Sequence, residues 1–99
     1  MTWNLEVRPA AAKDILDVFE WYESEREGLG HDFVQSVEET LERIRESPEG
    51  PALIYRDIRV RTTHRFPYGV YYRLREDTIR IMAVVHLHRS SAAWKSRAD

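Results

Sequence analysis

Cysteine is absent from this 99-residue sequence, and glycine and proline occur only four times each. Without cysteine the chain has no disulfide, no thiol nucleophile and no cysteine-ligated zinc site. No apolar run approaches the roughly 20 residues that span a bilayer, and the N-terminal residues lack the basic and then apolar pattern of a signal peptide. We therefore expect a cytoplasmic protein with no membrane partner.

The length predicts one small domain. Residues 1–99 are enough for one modest hydrophobic core and too few for a second independent domain. The mostly polar residues 95–99 are candidates for a disordered tail.

The net charge of -2 conceals a strong asymmetry along the chain. Residues 1–50 carry 5 Lys and Arg against 13 Asp and Glu, a net charge of -8, whereas residues 51–99 carry 10 against 4, a net charge of +6. Eight arginines and no lysine lie from Arg56 to Arg89. Because guanidinium groups bind phosphates and carboxylates through paired N–H donors, this half is a candidate surface for nucleic acid or an acidic protein segment. Pairing with the acidic helices of the same chain is the alternative for any single arginine.

The acidic half predicts a strand and a helical hairpin. Alternation from Trp3 to Val7 is typical of a short half-buried strand. Two helical segments follow, from about residue 10 to 26 and from about 31 to 46, with glycines at the turn between them. Their acidic residues lie mostly off the apolar stripes and bring no histidine at ligand spacing, so we predict a solvated face and no metal site. The predicted stripes are Ala12, Ile15, Leu16, Phe19 and Tyr22, and then Phe33, Val37, Leu41 and Ile44.

The basic half predicts a sheet. Residues 58–63, 68–75 and 78–87 have the apolar patterns of strands, and short connections between them favour an antiparallel meander. The whole sequence therefore predicts an α+β fold: a strand, a two-helix hairpin and a three- to four-stranded antiparallel sheet, with the helices packed on one face.

Strand alternation also assigns side chains to the two faces of the predicted sheet. An apolar set is expected to face the helices: Ile58, Val60, Val70, Tyr72, Ile79, Ile81 and Val85. A mixed set is expected on the opposite face: Arg59, Arg61, Tyr71, Arg73, Met82, Val84, His86 and His88. Because Met82 and Val84 are apolar, we expect a partner, or the C-terminal segment around Trp94, to cover part of this opposite face.

Two histidines close the last predicted strand. His86 and His88 are two residues apart and therefore point to the same side. A structural role is one interpretation. Acid–base chemistry is the other, in which His88 donates a proton and Arg89 stabilises a phosphate.

An ordered set of short motifs covers nearly the whole chain, from about Leu5 to Arg97. The motifs are Ala11–Ile15, Glu20–Tyr22, Leu29–Phe33, Phe66–Tyr72 and Ala83–His86, followed by Arg89 and Trp94. This set resembles the RelE/ParE toxin superfamily and, more narrowly, its ParE-like plasmid stabilization branch. The resemblance implies a single RelE/ParE-like toxin domain over residues 1–99.

The resemblance also implies the toxin of a type II toxin–antitoxin module, neutralised by a cognate antitoxin protein in a hetero-oligomeric complex. ParE-like members inhibit growth by poisoning DNA gyrase, which implies no catalytic residue and no cofactor in this chain. RelE-like members cleave mRNA in the ribosomal A site, and a ribosome-dependent endoribonuclease is therefore the alternative. A further alternative is an inactive member that acts only as a binding partner.

These functions assign residues differently. Trp94 stands where the best-known ribonuclease branch has a C-terminal tyrosine, so a nuclease would depend on other side chains for proton transfer and phosphate binding: His86, His88, Arg89, Arg59, Arg61 and Arg73. For a gyrase inhibitor controlled by an antitoxin, the expected partner-binding residues are Arg59, Arg61, Tyr71, Arg73, Met82, Val84 and Trp94.

Overall fold

A computed structural model describes residues 2–98, which form one sheet with helices on both faces. The elements in chain order are β1 (Asn4–Val7), α1 (Pro9–Glu25), α2 (Leu29–Glu46), β2 (Arg59–Thr62), β3 (Tyr68–Arg75), β4 (Thr78–His86) and α3 (Ala92–Ala98). The predicted order of strand, helical hairpin and sheet is confirmed, as is the α+β class. Residues 95–98 belong to α3 rather than to a disordered tail, and residue 99 lies outside the described residues.

The four strands lie in the order β1-β4-β3-β2. Strands β2, β3 and β4 form the expected antiparallel meander, but β1 runs parallel to β4. The prediction of a purely antiparallel sheet was therefore wrong for β1. The alternation of apolar and polar residues predicts which face of the sheet each side chain lies on. It does not predict whether a neighbouring strand runs parallel or antiparallel. The helical hairpin lets β1 pair with the strand that is most distant from it in sequence.

The buried stripe of α1 is rotated from its predicted position. Ala11 is fully buried, and the stripe continues through Ile15, Val18 and Tyr22 at four-, three- and four-residue steps. Leu16, which the sequence assigned to the core, is 53% exposed. Both stripes satisfy helical periodicity, and packing against the sheet selects the one that contains Ala11. In α2 the predicted stripe of Phe33, Val37, Leu41 and Ile44 is confirmed.

The two helices of the hairpin approach closely at Gly30. A Cβ atom on Gly30 would lie 2.5 Å from the carbonyl oxygen of Phe19 and 2.7 Å from Cγ of Glu23. The Glu23 carboxylate also accepts a hydrogen bond from the Gly30 N–H at 2.8 Å. Only a residue without a side chain fits this crossing.

A β-bulge in β4 changes which side chains face the helices. Tyr71 lies opposite Ala83 and Tyr72 lies opposite Ile81, so Met82 is the extra residue. The alternation of β4 reverses there. Val84 packs with the helices and Val85 packs on the opposite face, each contrary to its predicted side.

The register of β2 corrects four further assignments. Val60 pairs with Tyr71 and packs with it on the α3 face, together with Ile58. Arg59 and Arg61 pair with the helix-facing residues Tyr72 and Val70, so they belong to the helix face. Alternation separates the two sets correctly, but the register with β3 decides which set faces the helices.

The second face of the sheet is covered by α3. Trp94 stacks on Tyr71 with ring centroids 4.7 Å apart and ring planes inclined by 16°. Both side chains are buried in a small core with Ile58, Ala83 and Val85. Coverage by the C-terminal segment is thus confirmed. No helix within residues 2–98 is long and apolar enough to cross a membrane.

Candidate functional site

Three of the basic side chains meet where α2 ends and β2 begins. Arg59 donates hydrogen bonds to the carbonyl oxygens of Glu49, at 3.1 Å, and Pro51, at 2.6 Å. Arg61 makes one long contact with the Ser47 carbonyl oxygen at 3.5 Å. These arginines hold the connection that follows α2 beside the helix face of β2.

Arg43 is the third member of this group, and sequence reasoning did not single it out. Its Nη2 atom donates to the carbonyl oxygen of Thr62 at 2.9 Å and to the hydroxyl of Thr40 at 3.1 Å. Arg43 occupies the last turn of α2, in a segment where acidic residues dominate. The sequence does place Arg43 three residues after Thr40, close to the apolar stripe of α2, and this position could have indicated that Arg43 lies near the sheet.

Arg43 and Arg61 line an open groove of about 380 Å³ with Gly50, Pro51, Val60 and Thr62. The Nε atoms of both arginines are buried and make no hydrogen bond. None of the described carboxylates forms an ion pair with Arg43, Arg59 or Arg61. The groove therefore offers guanidinium donors without a counter-ion from the described chain.

Arg73 lies on the other face of the sheet, away from Arg59 and Arg61. It donates to the Asp57 carboxylate at 3.0 Å and to the carbonyl oxygen of Ala98 at 2.7 Å. Arg75 contacts the same carboxylate. The expected shared surface of Arg59, Arg61 and Arg73 is thus wrong, since the register of β2 places the first two on the helix face.

The pKa of Asp57 reflects two opposing effects. Partial burial acts to raise it, while the hydrogen bond from Arg75 and the charge of Arg73 act to lower it. The arginines prevail, and the pKa of Asp57 lies below its ordinary value. Arg73 is consequently committed to an ion pair inside the chain.

The bulge in β4 is held by α1 and α3. The Asp14 carboxylate accepts a hydrogen bond from the Val84 N–H at 2.9 Å, and Arg97 donates to the Met82 carbonyl oxygen at 3.1 Å. These side chains satisfy backbone groups of β4 beyond the end of β1. Met82 itself is half-buried beside Arg8, Pro9 and Arg97 in a second groove.

His86 is the last residue of β4, but His88 lies in the turn that follows, so the prediction that both histidines belong to the last strand was wrong for His88; the two side chains nevertheless contact each other. Nδ1 of His86 accepts a hydrogen bond from the His88 backbone N–H at 3.0 Å, and the two rings meet edge to face with centroids 5.3 Å apart. Nδ1 of His86 is therefore already engaged as an acceptor. The His86 ring also lies 5.3 Å from Tyr68, whose pKa is raised to about 12 by burial. Such a phenol is a poor acid near neutral pH.

The candidate nuclease residues do not converge. Arg59 and Arg61 bind the connection after α2, Arg73 binds Asp57, and His86 and Arg89 line a small pocket at the end of β4. Within residues 2–98 there is no cluster of three or more His, Asp or Glu side chains placed to hold a metal ion.

Comparison with solved structures supports the same architecture. The chain is similar to one described as "Chromosomal ParDE TA system from P. aeruginosa", with a TM-score of 0.79 and 18% sequence identity, over 88% of this chain and 98% of that chain. At this identity the likeness shows the fold. A search among curated proteins finds no match.

The family comparison is more specific. Residues 5–90 match the family described as "ParE toxin of type II toxin-antitoxin system, parDE". This segment begins within β1 and extends past the end of β4, so it covers most of β1, all of β2 to β4 and both helices of the hairpin. The chain therefore belongs to the ParE toxin family of type II toxin–antitoxin systems.

Proposed function

We propose that this chain is a growth-inhibiting toxin that poisons DNA gyrase in the cytoplasm and is neutralised by a cognate antitoxin. The match of residues 5–90 to the ParE toxin family carries the proposal. ParE-like proteins act on gyrase by binding, and binding requires surfaces rather than a catalytic centre.

The geometry of the basic side chains supports inhibition by binding. The arginines and histidines that a nuclease would require are distributed over both faces and one end of the sheet. General acid–base catalysis requires a donor within hydrogen-bond reach of the bond that is cleaved, and phosphate ligands beside it. A protein that acts by contact alone has no such requirement.

The antitoxin surface has apolar and cationic parts. Leu16 and Trp21 are 53% and 56% exposed on α1, so the outer surface of this helix offers two separate apolar contacts. Arg59 and Arg61 lie at the edge of the sheet. We propose that an acidic amphipathic antitoxin segment covers these regions, because it would bury the apolar groups and neutralise the cations. Of the other expected contact residues, Met82 is half-buried, whereas Tyr71, Arg73, Val84 and Trp94 are largely committed to contacts within the chain.

The first test is expression of the chain alone and with the adjacent reading frame. Growth arrest that the second protein relieves is the expected result. An inactive binding partner would leave growth unchanged, which would overturn the proposed toxicity.

The second test separates the two toxin activities. Purified chain should inhibit gyrase supercoiling and trap cleaved DNA, and it should leave mRNA intact on ribosomes. The double variant His86→Ala, His88→Ala should retain full gyrase inhibition. Cuts in A-site mRNA that disappear in this double variant, with no effect on gyrase, would replace our proposal by the endoribonuclease.

A further inference from the structure

We propose that the outer edge of β2 binds an extended acidic segment of a partner protein, with one of its carboxylates held between Arg43 and Arg61. The identification of this partner as the antitoxin rests on the proposed function. The binding site itself rests on the geometry of α2 and β2.

The first observation is the surplus of guanidinium donors. The Nε–H groups of Arg43 and Arg61 are buried without a hydrogen-bond partner, which is costly for a charged group. Each side chain anchors through its Nη2 atom to protein oxygen atoms, and neither has a carboxylate partner among the described residues. A carboxylate in the groove would accept from the Nη–H groups of both side chains, since the Nε–H groups are themselves inaccessible from outside.

The second observation is the open backbone of β2. The Thr63 N–H donates to the Tyr68 carbonyl oxygen, so Thr63 and Arg61 direct their backbone groups toward β3. Val60 and Thr62 then direct theirs outward. The Thr62 carbonyl oxygen is capped by Arg43, but Val60 offers an N–H and a C=O group to an additional strand. The groove that contains the two arginines includes this edge.

The two observations point to the same ligand. A peptide that extends the sheet at Val60 places alternate side chains on the face that carries Arg61. A glutamate at that position reaches the groove while its backbone pairs with β2. Gly50 keeps the space open, because a Cβ atom there would lie 2.8 Å from Ser47 Oγ and 3.2 Å from Arg61 Nη2.

The surrounding charge favours a peptide over nucleic acid. The exposed side of α2 carries several carboxylates within two turns of Arg43, at Glu38, Glu39, Glu42 and Glu46. A long polyanion would extend along this acidic surface and be repelled at many positions, whereas a short strand with one carboxylate at the groove is repelled far less. Backbone pairing with Val60 also requires peptide groups.

The test is a titration of the isotope-labelled full chain, followed by NMR at the backbone amides and at the arginine Nε–H groups. The probe is the capped peptide Thr-Val-Thr-Glu-Thr-Val-Thr, and the matched control replaces its Glu by Gln. We expect saturable shifts at Val60, Thr62, Arg43 and Arg61, with about tenfold tighter binding of the Glu peptide.

Variants separate charge from geometry. Arg43→Lys and Arg61→Lys keep the charge but replace the forked guanidinium donors by a single ammonium group, so each should reduce the preference for the Glu peptide by several fold. Arg26→Gln removes an exposed arginine that precedes α2, and it should leave the titration unchanged. Thermal unfolding of each variant identifies any that fails to fold, and the wild-type comparison of the two peptides tests the site without any variant.

Equal binding of the Glu and Gln peptides, or shifts confined to other elements, would overturn the proposal. Saturation of the same resonances by a ten-nucleotide single strand, with no peptide binding, would replace the peptide by nucleic acid. These outcomes are independent of the growth and gyrase assays, so loss of this site and loss of the proposed toxicity are distinguishable.

Discussion

The carboxylate of Asp14 on α1 accepts two hydrogen bonds from the Arg97 guanidinium on α3, at 2.6 and 3.1 Å. This pair connects helices that lie on opposite faces of the sheet. Its hydrogen bonds also raise the pKa of Arg97 above the ordinary value. The same carboxylate holds the Val84 N–H at the bulge, so one side chain links three elements.

Replacement of Asp14 should therefore be costly. We expect Asp14→Ala to lower the free energy of unfolding by about 2–3 kcal/mol, because it leaves a partly buried guanidinium and a backbone N–H without an acceptor. The matched control is Asp17→Ala, which removes an exposed ion pair with Lys13 and should cost much less. Urea denaturation measures both. Equal losses in the two variants would contradict the linking role of Asp14.

The stacked pair of Trp94 and Tyr71 should dominate the stability of the second core. Trp94→Ala should destabilise the chain by about 3–5 kcal/mol, since it removes a large buried ring and leaves a cavity under α3. Trp21→Ala is the control, because that ring is 56% exposed. Thermal unfolding followed by circular dichroism compares them. A similar small effect of both variants would show that α3 contributes little to folding.

The contact between α1 and α2 makes a sharp prediction at Gly30. Gly30→Ala should cost about 1–3 kcal/mol, because the new Cβ atom meets backbone at the Phe19 carbonyl and forces the helices apart. Gly28→Ala provides the comparison: no atom lies within 4 Å of its Cβ position, but its φ of 88° disfavours alanine. If steric contact matters, folded Gly30→Ala should show altered chemical shifts along both helices. In Gly28→Ala the altered shifts should stay local to the turn.

The ion pairs of Asp57 should make the stability of the folded chain depend on pH. The pKa of Asp57 is lower in the folded chain than in the unfolded chain, so its ion pairs contribute stability above the unfolded pKa, and this contribution is lost as the pH falls through the folded value. Asp57→Asn should thus be less stable than wild type at pH 7, by under about 1 kcal/mol because the side chain is 36% exposed.

The difference between wild type and Asp57→Asn should shrink below about pH 4. Urea denaturation from pH 7 to pH 2.5 checks the trend. A difference that stays constant over this range would show that Asp57 acts through its shape rather than its charge.

Periodicity predicted the elements well because each is governed by local patterns. The range of β3, Tyr68–Arg75, matches the alternating segment, and the hairpin follows from two apolar stripes and the glycines between them. Proline and glycine after α2 marked its end. These features depend on neighbours in sequence.

The faces of the sheet were less predictable because they depend on pairing. Nothing in the run from Ile79 to Val85 distinguishes Met82 as the extra residue, since both faces of this central strand are buried. The bulge reversed Val84 and Val85, and the register of β2 moved Arg59 and Arg61 to the helix face. The groove at Arg43 was missed for the same reason, since it forms only when α2 and β2 meet.

The parallel pairing of β1 with β4 has a consequence for biosynthesis. Asn4 lies beside Thr78, so the first strand to be synthesised has no partner until most of the chain exists. At about 5–20 residues per second, this delay lasts several seconds. Strands β3 and β4 can pair locally as soon as they are made, whereas docking of β1 must close a long loop. In that interval β1 is an unpaired strand, and it is then most open to pairing with other chains.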